Sequence, residues 1–544
     1  MSKNNISSNY FPKTLNTYLG QKGYTVLKKE LNEEQLFVLR QELMARPYTP
    51  GISGGQTQSV TFPIYRESKQ KVYMPRFYGE YHFGKSKEER IANGEDIDVP
   101  FAGELRPNQK PVVETYLNHV GLKNKEGHVD EISRPITVTG GGLLELPCAY
   151  GKTTISLYLC SKIRKKTLVI VHKEFLMNQW IERIQQFLPT ARVGRIQGSI
   201  VDIEDKDIVL GMLQSLSMKD YPDSTFKSFG LTIIDEVHHI SSEVFSCALF
   251  KIVSPCMMGL SATMNRKDGT TKVFKMFLGD VVYKGKRDEE HNVVVRALEY
   301  YTNDDDFNEV KLDYRGNIQY STMISKLCCF NPRTEFILRL IKDMFSENAD
   351  QQIMVLAHNK NILKYLHDAI EKREIAGGSV GYYIGGMKEP ALKETEGKKI
   401  VIATYSMASE ALDIKSLTTL IMATPKTDIE QAVGRILRQK HGTPIVVDII
   451  DSHVPFQNQW QKRKRFYKKQ NYKIVQADSD SYKVNNGDQK VWNTIFSGNT
   501  NTNTNTTQNN DFDCTSASQT VFVNTNKFSS DSLLGGKCLI KMKK

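Results

Sequence analysis

Three clusters in this chain have the residue types and spacing to do chemistry on a phosphate chain. The first is Cys148-Ala149-Tyr150-Gly151-Lys152-Thr153-Thr154, placed between an apolar run and a helical pattern that begins at Ile155. A loop that opens into a helix turns backbone N–H groups and the positive helix end toward an anion. Lys152 is then a compact charge for the β- and γ-phosphates, and the Thr153 hydroxyl is a ligand for Mg2+. Gly-Lys-Thr alone is a weak signal, because Leu146 stands where the strict loop has its first glycine and Ala149 replaces another. The second cluster is Asp235-Glu236-Val237-His238, at the end of the apolar run 231–234. A buried strand that delivers two carboxylates at its C-terminal end has placed them at the crevice of an open α/β sheet. There Asp235 is expected to hold Mg2+ and Glu236 to orient and deprotonate a water. Alone, the pair reads more readily as a solvated acidic turn; its coupling to Lys152 changes that balance. His238 and His239 invite a metal reading, but no third ligand accompanies them. In the third cluster, Gln431, Arg435 and Arg438 stand at i, i+4 and i+7, so a helix aligns them on one face. Two guanidiniums and an amide aimed across a cleft suit γ-phosphate charge. The competing reading, a basic helix face in water, leaves the mid-helix Gly434 unexplained, whereas close packing against a neighbouring lobe explains it.

These residues need strands to hold them. From about 101 to 285, short β-branched runs at 167–171, 207–210 and 231–234 alternate with helical patterns, which predicts a parallel sheet covered by helices. A second alternating block runs from 331 to 455, with strands expected at 353–356, 399–403, 420–423 and 444–450. The expected fold class is therefore α/β, two tandem parallel-sheet domains facing each other across a cleft. Residues 1–100 form an N-terminal accessory domain with a helix expected over 32–45. Its aromatic and basic segment, residues 72–78, makes nucleic-acid binding an expectation there. The acidic stretch 286–330, with Asp304-Asp305-Asp306, is expected to be a linker. Residues 456–477 are a basic extension in which six cations surround Phe466 and Tyr467, to be weighed equally as a backbone-binding patch or a solvated face. The Asn-, Ser- and Thr-rich tail from 478 to 544 lacks apolar surface to offset ordering entropy and is expected to be disordered.

The 544 residues exceed one ordinary core. A formal net charge of +12 favours a polyanionic partner, nucleic acid or an acidic membrane surface. The eight cysteines form no C-x-x-C pair, which argues against a zinc module and a secreted disulfide framework, and for a reducing compartment. The N-terminus shows no signal-peptide core, and no apolar run approaches membrane-spanning length. A soluble, non-secreted protein is expected, with no membrane partner.

Asp-Glu-x-His followed by Ser261-Ala262-Thr263 and then Arg266-Lys267-Asp268 resembles superfamily 2 helicases, specifically the xeroderma-pigmentosum-group-B-like branch with its phage and large-DNA-virus relatives. Lys267 stands where that branch has an acid. Leu105-Arg-Pro-Asn-Gln109, Val169-Ile-Val-His172-Lys173, Gly211-Met-Leu-Gln214-Ser215 and the segment 403–413, with Thr404 and Asp413, match further motifs in order. The resemblance covers about 101–455 and implies two RecA-like domains, ATP and Mg2+. It implies adenine selection by Gln109, backbone contacts from His172, Lys173, Gln214, Ser215 and Thr404, and ribose or arginine contact from Asp413. His238, Ser261, Ala262, Thr263, Arg266 and Asp268 are implied to link hydrolysis to movement. The implied function is an ATP-dependent, monomeric 3′-to-5′ helicase, on DNA rather than RNA, alongside transcription machinery in transcript release or in repair. Its setting is cytoplasm or virion for a viral chain and nucleus otherwise. A double-strand translocase or an RNA helicase remains open, as does a non-hydrolysing nucleic-acid-binding scaffold.

Overall fold

The apolar β-branched runs form the centres of two eight-stranded sheets. The computed structural model describes residues 10–47, 61–121, 139–147, 149–264, 266, 268–286, 292–410, 414–438, 442–484 and 491–498. In the first lobe the strand order is Ile200–Asp202, Val193–Gln197, Ile208–Met212, Thr167–Val171, Leu231–Ile234, Cys256–Ser261, Gly140–Glu145, Val281–Lys284. Every pairing is parallel except that of the edge strand Ile200–Asp202. Every residue of Thr167–Val171, Leu231–Ile234 and Cys256–Ser261 is buried, as central strands with both faces covered must be. Their C-terminal ends share one edge, and that edge carries the candidate residues.

The second lobe orders Val380–Tyr383, Ile400–Thr404, Ile353–Ala357, Thr419–Met422, Ile445–Asp451, Val294–Tyr300, Lys473–Asp478 and Asn493–Phe496. Three expectations are corrected here. The expected linker contains Val294–Tyr300, which pairs in parallel with both Ile445–Asp451 and Lys473–Asp478, and the helix Tyr320–Cys329. The basic extension is the helix Val454–Lys469 leading into strand Lys473–Asp478, both integral to the lobe. Order also continues past 478: helix Ser479–Val484 buries Ser479 and Tyr482, and Asn493–Phe496 closes the sheet antiparallel. Residues 499–544 lie outside the described residues.

The charged groups inside the second lobe explain part of its composition. Arg333 and Asp451 are both fully buried, with Arg333 Nη2 2.8 Å from Asp451 Oδ2. Arg463, from the presumed basic patch, donates through Nε (2.7 Å) and Nη2 (2.8 Å) to the buried Asp448, which also accepts from the Tyr467 hydroxyl at 3.0 Å. Lys462, Arg465, Lys468 and Lys469 stay exposed. Of the six cations, four thus form a solvated face and Arg463 alone is paired inside the lobe.

The N-terminal region forms a small sheet in the order Arg66–Glu67, Lys71–Met74, Gly23–Leu27, Thr17–Gly20, Glu88–Glu89. Its helix Glu33–Glu42 starts at a capping box, with Gln35 N donating to Asn32 Oδ1 (2.8 Å) and Asn32 N to Gln35 Oε1 (3.1 Å). Helix Arg76–Phe83 lies on the sheet so closely that a Cβ on Gly79 would fall 2.2 Å from Tyr24 Cγ. Arg76 ties this unit to the first lobe, donating to Pro255 O and Thr139 Oγ1, each at 2.9 Å. Between the two lobes, Lys393 pairs with Glu182 (3.0 Å) and Asn178 donates to Glu389 (2.7 Å). No helix among the described residues is long and apolar enough to cross a membrane.

Candidate active site

Strand Gly140–Glu145 leads through the loop 146–151 into helix Lys152–Ile163. Ala149 (φ +66°) and Gly151 (φ +88°) both take the left-handed backbone that the loop requires. The conformation costs a residue with a Cβ about 1–2 kcal/mol, so Ala149 is strained where Gly151 is not. A second segment straps the loop down. Arg106 Nη2 donates to Ala149 O (3.2 Å) and Tyr150 O (3.1 Å), and Gln109 Nε2 donates to Tyr150 O (2.9 Å). The Tyr150 hydroxyl donates back to Asn108 O at 2.9 Å. Gln109, expected to read a base, is only 1% exposed and accepts from Arg106 N at 3.0 Å. In this state it serves the loop. Cys148 lies outside the described residues; Thr153 and Thr154 sit half-buried in the first turn of the helix.

Lys152 reaches across to the acidic dyad, with Nζ 2.8 Å from Glu236 Oε1 and the two side chains 16% and 19% exposed. Glu236 takes φ +47° at the exit of its strand, strain of the kind that gathers at functional sites. Asp235 accepts from the Trp180 indole N–H (3.0 Å) and from Glu236 N (3.0 Å). Sequence reasoning missed Trp180, which is 2% exposed on helix Glu174–Phe187. Its signal was present: a buried Trp needs an acceptor for its N–H. Burial, reinforced by Glu236, raises the Asp235 pKa. Burial pushes Glu236 upward too, but Lys152 and then His238 outweigh it and hold that carboxyl below its ordinary value. Two adjacent carboxyls thereby acquire different protonation tendencies, as separate roles require.

Beyond the dyad the contacts run on continuously. His238 Nδ1 lies 3.1 Å from Ser261 Oγ and 3.4 Å from Glu236 Oε2. Ser261 Oγ donates to Thr263 O (2.8 Å), and Ala262 between them is buried. Arg266 donates to His238 O and, through Nε, to both Asp268 oxygens at 3.1 Å. Asp268 also accepts from Thr270 N (3.0 Å) and Oγ1 (2.7 Å); burial opposes its ionisation, but these donors bring its pKa down to about 2.

The expected nucleic-acid contacts divide. His172 is buried, its ring stacked on His239 at 3.9 Å, so it packs inward, contrary to expectation. Gln214 Nε2 donates to His172 O (2.7 Å), and Ser215 Oγ accepts from Gly198 N (2.9 Å). Lys173 precedes its helix with its ammonium 5.9 Å from the Phe175 ring centre. Thr404 ends strand Ile400–Thr404, its Oγ1 3.3 Å from Ser406 Oγ. Asp413 lies outside the described residues.

Gln431, Arg435 and Arg438 do not share one continuous α-helix. The α-helix Glu430–Val433 tightens at Gly434 into a 3-10 turn, Gly434–Leu437. In a 3-10 turn i and i+3 eclipse, so Arg435 and Arg438 remain aligned while Gln431 rotates away. Gly434 stands at the change of winding with φ −57° and ψ −18°, right-handed backbone that any residue adopts, so the winding itself does not require glycine there. Arg435 is 7% exposed, and both guanidiniums bear on the buried Tyr383, whose hydroxyl donates to Glu396 Oε1 at 3.5 Å.

The donor chemistry suits Mg2+. Thr153 and Asp235 offer hard oxygens, and among the described residues no three His, Cys, Asp or Glu side chains gather to form a metal cage. Few protein ligands completed by phosphate oxygens is how Mg2+ is ordinarily held.

Comparison with known proteins gives the same direction. The family described as "Type III restriction enzyme, res subunit" matches residues 102–266. A protein of Acanthamoeba polyphaga mimivirus named "Putative ATP-dependent RNA helicase" is 33% identical over 470 residues, covering 85% of this chain and 86% of its own length. A protein of African swine fever virus named "Putative ATP-dependent RNA helicase QP509L" is 29% identical over 376 residues, 64% of this chain and 73% of its own. Among solved structures, T4 UvsW aligns with 82% of this chain and 96% of its own, at 18% identity and a TM-score of 0.31.

Proposed function

We infer a mechanism from the premise that this chain belongs to helicase superfamily 2 and is an ATP-hydrolysing helicase. We propose that ATP binds over the loop 149–153 and draws Lys152 from Glu236 to its β- and γ-phosphates. Thr153 and Asp235 would hold Mg2+, which when bound would supply positive charge against the phosphates. Glu236, held as a carboxylate, orients and deprotonates the attacking water. Arg435 and Arg438 stabilise the γ-phosphate from the second lobe, a contribution of about 10³–10⁵ in rate for a guanidinium so placed. Asp413 is assigned contact with the ribose or with these arginines, whereas Gln431, turned off their line, is left out of the γ-phosphate contacts. Loss of the γ-phosphate removes the bridge, and the lobes part. His238, through Ser261, Arg266 and Asp268, carries that change toward the strand gripped by Lys173, Gln214, Ser215 and Thr404.

The observation that carries the reading is the 2.8 Å pairing of Lys152 with Glu236, which brings the phosphate-binding charge and the candidate base to one point. The proposed track is DNA, followed 3′ to 5′ by a monomer engaged with transcription machinery in transcript release or repair. The viral sources of the relatives support a viral, intracellular setting. RNA is the second reading, favoured by the names of both relatives. The test is ATPase stimulation by single-stranded DNA, duplex DNA and RNA, with strand displacement on tailed duplexes of both polarities. Lys152→Ala must abolish stimulated phosphate release. If the wild-type protein shows none, a non-hydrolysing scaffold replaces the motor.

A further inference from the structure

The small N-terminal sheet has one face that the active site does not use. Its inner residues Tyr24, Val26, Val72 and Met74 share a core with Leu39, Tyr78 and Phe83. Side chains alternate across a strand, so the opposite face is set by register: Tyr18 is paired with Thr25, and Thr25 with Tyr73. Both tyrosines are half-buried, flanking Thr25. Cations surround them. The Arg90 guanidinium lies 4.0 Å from the Tyr18 ring centre, Lys71 Nζ lies 5.3 Å from it and 3.2 Å from the Tyr18 hydroxyl, and Lys22 Nζ lies 5.8 Å from the Tyr73 ring centre. Glu88, an acid on the same face, is paired with Arg90 at 2.6 Å. Of the aromatic, basic segment noticed in the sequence, only Tyr73 reaches this face; Arg76 and Tyr78 are buried.

We propose that this face, built on Tyr18 and Tyr73 with Lys22, Lys71 and Arg90, is a second binding platform for single-stranded nucleic acid, separate from the track at the C-terminal edges of the two lobes. A π-face accepts any base, and cations at its rim accept the phosphates, so the pattern suits a strand held without regard to sequence. In the free protein the cations rest over the rings. Phosphates draw them aside, which opens the rings to bases. The proposal rests on the reading of the chain as a nucleic-acid motor, and the two can fail separately.

The test uses the full chain and labelled single-stranded oligonucleotides, DNA in one arm and RNA in the other. Tyr18→Ala and Tyr73→Ala are each expected to weaken binding by about tenfold. Tyr18→Phe and Tyr73→Phe, which keep the π-face, retain wild-type affinity. Lys71→Ser lowers the slope of log affinity against log salt by about 0.7. Photocrosslinking with 5-iodouracil oligonucleotides should place the adduct on the peptides containing Tyr18 or Tyr73. Unchanged affinity in both alanine variants, or adducts confined to the two lobes, overturns the platform. If instead the tyrosines crosslink while the wild type shows no nucleic-acid-stimulated ATPase, the motor reading falls and the platform stands. If the sheet binds a protein or an acidic surface, no oligonucleotide adduct forms there, and the proposal is wrong.

Discussion

Replacing Glu236 with glutamine separates its observed hold on Lys152 from its proposed role as base. Its Oε1 sits 2.8 Å from Lys152 Nζ, with the two side chains 16% and 19% exposed, so solvent screens the pair only partly. A hydrogen bond between two charged partners lies at the upper end of about 1.5–3 kcal/mol, and one in which only the lysine is charged lies at its lower end. Glu236→Gln therefore weakens the hold on Lys152 by about 1 kcal/mol, and ATP competing for that lysine should bind roughly fivefold tighter. The amide has no proton-accepting carboxylate, so hydrolysis should fall by about 10²–10⁴. Binding is read with a fluorescent non-hydrolysable ATP analogue and chemistry by single-turnover phosphate release at saturating ATP. Opposite movement of the two quantities is the signature. Weaker nucleotide binding in the variant, or a single-turnover rate within tenfold of wild type, would refute the assignment.

Four other outcomes follow from the same structure. Ala149→Gly removes about 1–2 kcal/mol of left-handed strain but adds about 0.5–1 kcal/mol of unfolded-state entropy; the net gain should raise the melting temperature of the first lobe by about 1–3 °C. Arg463→Met strands Asp448 in the core and should cost about 3–5 kcal/mol, seen as proteolysis of the second lobe. Lys462→Ser, on the same helix but exposed, should stay within about 0.5 kcal/mol of wild type. Asp268 has its pKa lowered from 3.8 to about 2, so its contribution to stability is present above pH 3.8 and lost as pH falls toward 2. Asp268→Asn should melt below wild type at pH 5, and the gap should close on acidification.

Legibility in the sequence followed chemistry at short range. Thr167–Val171 and Leu231–Ile234 could be read directly because a strand covered on both faces must be apolar throughout. The dyad followed, since a strand end fixes where Asp235 and Glu236 stand. Val294–Tyr300 was hidden by acidic neighbours, and its partners Ile445–Asp451 and Lys473–Asp478 lie far along the chain. Arg463 reads as surface charge until Asp448 is seen beside it. The row 431–438 was spaced for an α-helix, and nothing local announces that the winding tightens at Gly434. Nor does a sequence show that Trp180 completes Asp235, or that Arg106 and Gln109 restrain the loop; those partners meet only through the fold.

The strap from Arg106 and Gln109 holds the loop's shape, and the Lys152–Glu236 pair gives that shape a safety catch. On the proposed assignment of Glu236 as base and Lys152 as phosphate-binding charge, the two occupy each other in the resting protein, so neither is offered to stray water or to a weakly charged anion. A triphosphate has the charge to release the catch. After hydrolysis the diphosphate competes less well for Lys152, and Glu236 can reclaim it. The enzyme then carries its own intramolecular competitor for the spent nucleotide, and product ejection becomes a reset built into the site.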